Sequence, residues 1–150
     1  MHIVAGVQSV APTGGYKYTD NPATATVTTG WNDATTLYTI PYGAGSRVEI
    51  DCSGNTLYAS ISNSAATPAP NNAKIDAIGK SINGGVTWTT TPLTATNITE
   101  LNGGGQGWYS NTIGIDPSDP NTVIVGSLNL LKSTNGGASF SKISEWVGTT

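Results

Sequence analysis

Charge is scarce in this 150-residue chain: only 10% of its residues are Asp, Glu, Lys or Arg, and the formal net charge is -3. Six cations, Arg47 and five lysines, are too few for the dense basic face that nucleic-acid binding requires, so no nucleic-acid partner is expected. Cysteine is nearly missing as well. Cys52 stands alone, which excludes an internal disulfide, and it is expected to be a small buried thiol beside a strand. The single histidine is His2, so a Cys–His catalytic pair finds no support. No apolar run approaches the ~20 residues that span a bilayer, and no membrane insertion is expected. The opening Met1–Val7 lacks the basic start and long apolar core of a secretory signal and reads as a strand. Any export signal is therefore expected to have been removed or to lie upstream.

What the chain does have is Thr, Gly, Ser and Asn, which make up 69 of the 150 residues. A helical bundle would instead be rich in Ala, Glu, Lys and Leu. Thr favours strands while Gly and Asn supply turn conformations, so the composition predicts short strands joined by many polar turns. The length fits one ordinary domain.

An internal repeat sharpens the fold class. Lys80-Ser81-Ile82-Asn83-Gly84-Gly85-Val86-Thr87-Trp88 is echoed by Lys132-Ser133-Thr134-Asn135-Gly136-Gly137-Ala138-Ser139-Phe140. A weaker copy runs from Lys17 through Asp20 to Thr24. Upstream of the strong copies, Arg47–Asp51 and Thr56–Ile61 match Thr112–Asp116 and Thr122–Ser127. Each unit reads as four strands, with Asn-Gly supplying positive φ at both central residues of a hairpin. Trp88 and Phe140 are expected to be buried on the hairpin's apolar side. Repeated four-stranded units of this length indicate propeller blades, so the expected fold is an all-β propeller. Its blades are placed at about 1–31 (weak), 46–92 and 108–146. Three blades fall short of the ~4–8 that close a propeller. The chain is expected to be an incomplete portion of a larger one, with completion by another copy as the alternative.

The copies resemble the Asp-box, or BNR repeat, with its pattern Ser-x-Asp-x-Gly-x-Thr-Trp. Ser81, Gly85, Thr87 and Trp88 match it, as do Ser133 and Gly137, while Asn83 and Asn135 stand where the family usually has aspartate. In the weak copy Asp20 is kept and Pro22 replaces the glycine. The unit from Gly105 to Trp146, with the segment Ile115-Asp116-Pro117-Ser118-Asp119-Pro120-Asn121-Thr122-Val123, is similar to large secreted bacterial propellers labelled sialidase-like, sortilin-like or glycosyl hydrolase-like. The resemblance covers roughly residues 16–146. It implies a secreted or surface location, and it leaves activity open because such propellers host unrelated functions.

The general pattern of propellers puts the hairpins on one face and ligands on the other. Ser81, Asn83, Ser133 and Asn135 are thus expected to be structural. Asp116–Asn121 reads as a turn, with calcium as the minority reading, and no metal or cofactor is expected. The Gly103-Gly104-Gly105 run is not read as a phosphate loop, because no helix is expected after it. The ligand face should receive Asn102–Asn111, the loop from Asn63 to Ile78, and the stretch Asn32–Ser46 with Tyr38 and Tyr42. Gln106, Trp108, Tyr109 and Asn111 form the candidate ligand site, since aromatic faces pack on sugars while amides bond hydroxyls. The competing reading makes Trp108 a plug between blades. Trp146 is expected to be a packing residue.

Glycoside hydrolysis needs two carboxylates flanking the bond, and no pair can be assigned; Glu100, Asp33 and Asp76 are the acids expected on the ligand face. The catalytic residues stay unknown. A conventional sialidase is excluded for this chain alone, because the resemblance would demand three arginines and Arg47 is single. The expected function is a propeller segment that contributes to polysaccharide or protein binding. Alternatives are a fragment of a glycoside hydrolase and a structural module of a surface assembly.

Overall fold

Polar and apolar residues alternate along Arg47–Asp51 and Thr112–Asp116, whereas Thr56–Ile61 and Thr122–Ser127 are more continuously apolar, and each run forms a strand edge to edge with the next. The computed structural model describes residues 3–7, 15–26, 29–33, 47–63, 74–91, 93–102 and 106–146. Among these residues three antiparallel sheets follow one another. The first holds β1 (Ile3–Val7), β2 (Gly15–Thr19) and β3 (Asn32–Asp33), in that order. The second holds β4 (Arg47–Ser53), β5 (Thr56–Asn63), β6 (Lys74–Ser81) and β7 (Thr89–Thr91). The third holds β8 (Thr112–Ile115), β9 (Val123–Gly126), β10 (Leu130–Ser133) and β11 (Ser141–Lys142). The leading strands β1, β4 and β8 neighbour one another from sheet to sheet. This is the layout of successive propeller blades around an axis.

Two features depart from a pure strand-and-turn reading. Helix α1 (Ala95–Asn102) and the single turn α2 (Gly107–Ser110) lie between the second and third sheets. Thr94 starts α1 with a reciprocal cap: its Oγ1 accepts the Asn97 N–H at 3.1 Å, and Asn97 Oδ1 accepts the Thr94 N–H at 3.3 Å. Leu101 then drops into the core formed by Tyr58 and Ile78 of the second sheet with Val123, Val125, Leu131 and Phe140 of the third. Trp88 and Phe140 are both buried, as their places after the hairpins imply. Cys52 departs from expectation: it is exposed, because β4 turns that face toward a cleft rather than into the core.

The repeated hairpins are nearly superimposable in their bonding. Ser81 Oγ accepts the N–H of Asn83 (3.4 Å) and of Gly85 (2.9 Å), and Asn83 Oδ1 accepts the Thr87 N–H at 2.9 Å. Ser133, Asn135, Gly137 and Ser139 repeat these bonds at 3.3, 2.9 and 3.0 Å. Positive φ falls on the two glycines, +71° and +89° at Gly84 and Gly85, +70° and +88° at Gly136 and Gly137. The asparagine contributes its side chain, not a left-handed backbone, which corrects the Asn-Gly expectation. The weak copy is also displaced by one residue. Thr19 Oγ1 accepts the Asn21 N–H and Asn21 O accepts the Thr24 N–H, the bonds made by Ser133 and Asn135 in the third sheet. Pro22 and Ala23 therefore stand where the other turns have glycines.

Asn83→Ala should cost about 1–2 kcal/mol, since it strips acceptor and donor from a turn that organises four residues. Asn83→Asp keeps the acceptor and should stay close to the parent protein. Denaturant midpoints of both variants provide the check.

Candidate functional site

Antiparallel connectivity puts the turns 53–56, 81–89, 116–122 and 133–141 at one end of the sheets. The other end collects the starts of β4 and β8, helices α1 and α2, and the β9–β10 turn. At that second end Arg47 opens β4. Its Nη1 donates to Tyr109 O at 2.5 Å, its Nε to Glu49 Oε1 at 2.7 Å, and its backbone N–H to Ser62 Oγ at 3.0 Å. Arg47 and Glu49 are both partly exposed. Ser110 and Ser127 share a hydrogen bond of 2.6 Å that ties α2 to the β9–β10 turn.

The four candidate ligand residues are treated differently by this frame. Tyr109 is 70% exposed on α2, presenting its ring to solvent while its carbonyl is gripped by Arg47. Gln106 is exposed, and its carbonyl receives the N–H groups of Tyr109 and Ser110. Trp108 lies in α2, with its side chain outside the described residues. Asn111 does not fit the expected role. It is 2% exposed, its Nδ2 donates to Arg47 O (3.2 Å) and Ser60 O (3.1 Å), and its Oδ1 accepts from Ser60 Oγ. The amide is spent on joining the second sheet to the third.

A helix does follow the glycine run, contrary to expectation, but α2 is one turn whose leading N–H groups include those already bonded to Gln106 O. The loop predicted from Asn63 to Ile78 is shorter on its far side, since β6 begins at Lys74; residues 64–73 lie outside the described ones. Tyr38 and Tyr42 lie outside them too, as do the side chains of Asp33 and Asp76. Glu100 pairs with Lys142 at 2.7 Å, and Glu145 pairs with the same lysine. The hydrogen bonds that Lys142 donates to Glu100, then to Glu145, hold its pKa above the ordinary value. Asp116 caps its own turn, and the Ser118 hydroxyl and N–H lower its pKa. Among the described residues no group of three His, Cys, Asp or Glu is placed to hold a metal.

Sequence reasoning missed two members of this end. Glu49 was legible: Arg47, Glu49 and Asp51 alternate on one face of an inner strand. Asp51 is occupied, its oxygens accepting the N–H of Cys52 and of Ile115 at 2.8 Å each. Trp146 was expected to pack, yet it is 67% exposed beside the β9–β10 turn, its backbone N–H donating to Asn129 Oδ1 at 2.7 Å. Trp88 closes a Ser-x-Asn hairpin, whereas Trp146 follows residues 141–145 with no such turn directly before it, and that difference is the signal that separates the two.

The class these sheets define is an all-β propeller, of which the chain supplies successive blades. No protein-family model and no curated protein matches the sequence. Among solved structures the chain is similar to the GH74 xyloglucanase from Xanthomonas campestris, with a TM-score of 0.57 and 22% identity over 93% of this chain and 18% of that one. It is likewise similar to a GH74 enzyme from Niastella koreensis, with a TM-score of 0.56 and 23% identity over 92% of this chain and 19% of that one. The chain thus spans about a fifth of the length of the solved structures it matches. At this identity the likeness establishes the fold.

Proposed function

We propose that the chain forms Asp-box blades of a larger, secreted propeller and that its α2 end binds polysaccharide. The observation that carries this reading is Tyr109, a solvent-facing aromatic at the head of an inner strand, fixed by Arg47 and flanked by the exposed amide of Gln106. Aromatic rings in this setting pack on sugar C–H faces, and Gln106 bonds hydroxyls. Trp108 belongs to the proposed contact, and Asn111 is left out of it. The fold shared with xyloglucan-degrading propellers supports a neutral polysaccharide as ligand. No described helix is long and apolar enough to cross a membrane, which accords with a secreted protein.

A second reading, a portion of a glycoside hydrolase, draws on the Glu49 carboxylate that Arg47 holds at the same end. It requires a partner carboxylate.

Tyr109→Ala should weaken retention on soluble xyloglucan by roughly 1–3 kcal/mol, the scale of one large apolar contact, and leave the melting curve nearly unchanged. Affinity electrophoresis against xyloglucan and an unrelated neutral glucan measures it. Equal retention by parent and variant would remove Tyr109 from the site.

A further inference from the structure

The junction between the second and third sheets is made in part by a plug. Gly136 and Gly137 of the third sheet's hairpin press onto the second sheet so closely that a Cβ would meet Lys80 Nζ at 2.6 Å and Thr91 Cγ2 at 2.9 Å. Lys80 lies over the Tyr58 ring and donates to Gly136 O at 2.9 Å, and Tyr58 donates to Pro120 O. The receiving face is therefore Tyr58, Ile78, Lys80 and Thr91.

That face recurs on the third sheet. Tyr58 pairs with Lys80 across β5–β6, and Ile124 pairs with Lys132 across β9–β10; Ser60 pairs with Ile78, and Gly126 with Leu130. Ile124, Leu130, Lys132 and Ile143 thus occupy the places of Tyr58, Ile78, Lys80 and Thr91. All four are partly or largely exposed, whereas Tyr58, Ile78 and Thr91 are buried. A cleft of about 370 Å³ opens there, lined by Gly114, Thr122, Ile124 and Lys132 among others.

We propose that this face of the third sheet is a docking surface for a further blade carrying a Gly-Gly hairpin, with Lys132 donating to the carbonyl of its first glycine. The inference rests on the propeller reading and not on the polysaccharide site. The occupant follows from the existing junction, whose lysine, register and apolar neighbours the face repeats. It is not the first sheet of a second copy. That sheet's turn has Pro22 and Ala23 at the glycine places, and side chains there would collide with the receiving face.

The test uses the chain extended after Trp146 by a second copy of residues 95–146, which supplies such a hairpin in the spacing of the existing junction (Trp146 takes the place of Thr94). Hydrogen exchange should show the Ile124 and Lys132 amides protected about tenfold more in the extended chain than in the parent. Lys132→Met should lower the melting temperature of the extended chain while leaving that of the parent unchanged. Ala in place of the second appended glycine should abolish the added protection. Equal protection in both chains, or an equal effect of Lys132→Met on both, overturns the proposal. Xyloglucan retention by Tyr109→Ala is read separately, so a failure of the ligand site and a failure of the docking surface give different results.

Discussion

Asn111→Ala is expected to destabilise the protein by about 3 kcal/mol, because three polar partners lose a bond together: the two on Ser60 are buried and cost ~1–3 kcal/mol each when left unpaired, while the part-buried Arg47 O retains the Ser62 hydroxyl at 3.3 Å. The partners are Arg47 O, Ser60 O and Ser60 Oγ. For a domain of this size the loss corresponds to a fall of roughly 6–12 °C in melting temperature. Asn111→Asp should be nearly as harmful, since it replaces the Nδ2 donor facing two carbonyls by an acceptor. A ligand-binding asparagine would give the opposite pattern, weak retention on glycan with an unchanged melt. Calorimetry of the two variants beside Tyr109→Ala separates these outcomes.

The second large effect is expected at Gly137. Alanine there must adopt φ near +88°, which costs ~1–2 kcal/mol for an L residue. Its Cβ would also sit 2.9 Å from Thr91 Cγ2 and 3.4 Å from Tyr58 Cε1, adding ~1–3 kcal/mol of overpacking. Gly54→Ala is the matched control. Its φ is +60° with open space around it, so only the backbone term applies. Urea denaturation should therefore rank Gly137→Ala well below Gly54→Ala, and equal midpoints would mean that the hairpin is not pressed against the second sheet.

The strands and hairpins were legible because they rest on local chemistry: alternation along Arg47–Asp51 and Thr112–Asp116, a Ser-x-Asn turn, an aromatic after it. The helices were not. Thr94-Ala95-Thr96-Asn97 is a capping signal, but Thr and Asn are so abundant in this chain that it does not stand out. The pairing of leading strands was also hidden. Val123 pairs with Ile115, while its repeat counterpart Leu57 pairs with Cys52, so Ile115 corresponds to Cys52 rather than to Ile50. A longer turn before β9 absorbs the difference, and sequence matching alone slides past it. For the candidate site, Tyr109 and Gln106 emerged as exposed because they stand on a surface turn. Asn111 looked identical in sequence, and only the opposing carbonyls of β4 and β5 reveal its inward role.

The bonds that join the second and third sheets all connect one blade to its immediate successor: Arg47 with Tyr109, Asp51 with Ile115, Ser53 with Pro117, Lys80 with Gly136. In energetic terms such a molecule is a linear array of nearest-neighbour couplings. Its middle sheet is clamped from both flanks, since β4 touches β1 as well as β8, whereas among the described residues each flanking sheet shares one such seam, with the middle sheet. Cooperativity is then a property of seams rather than of the whole body. A defect at one seam loosens the two sheets that share it and is attenuated at the next, so the order of melting is set by position along the array.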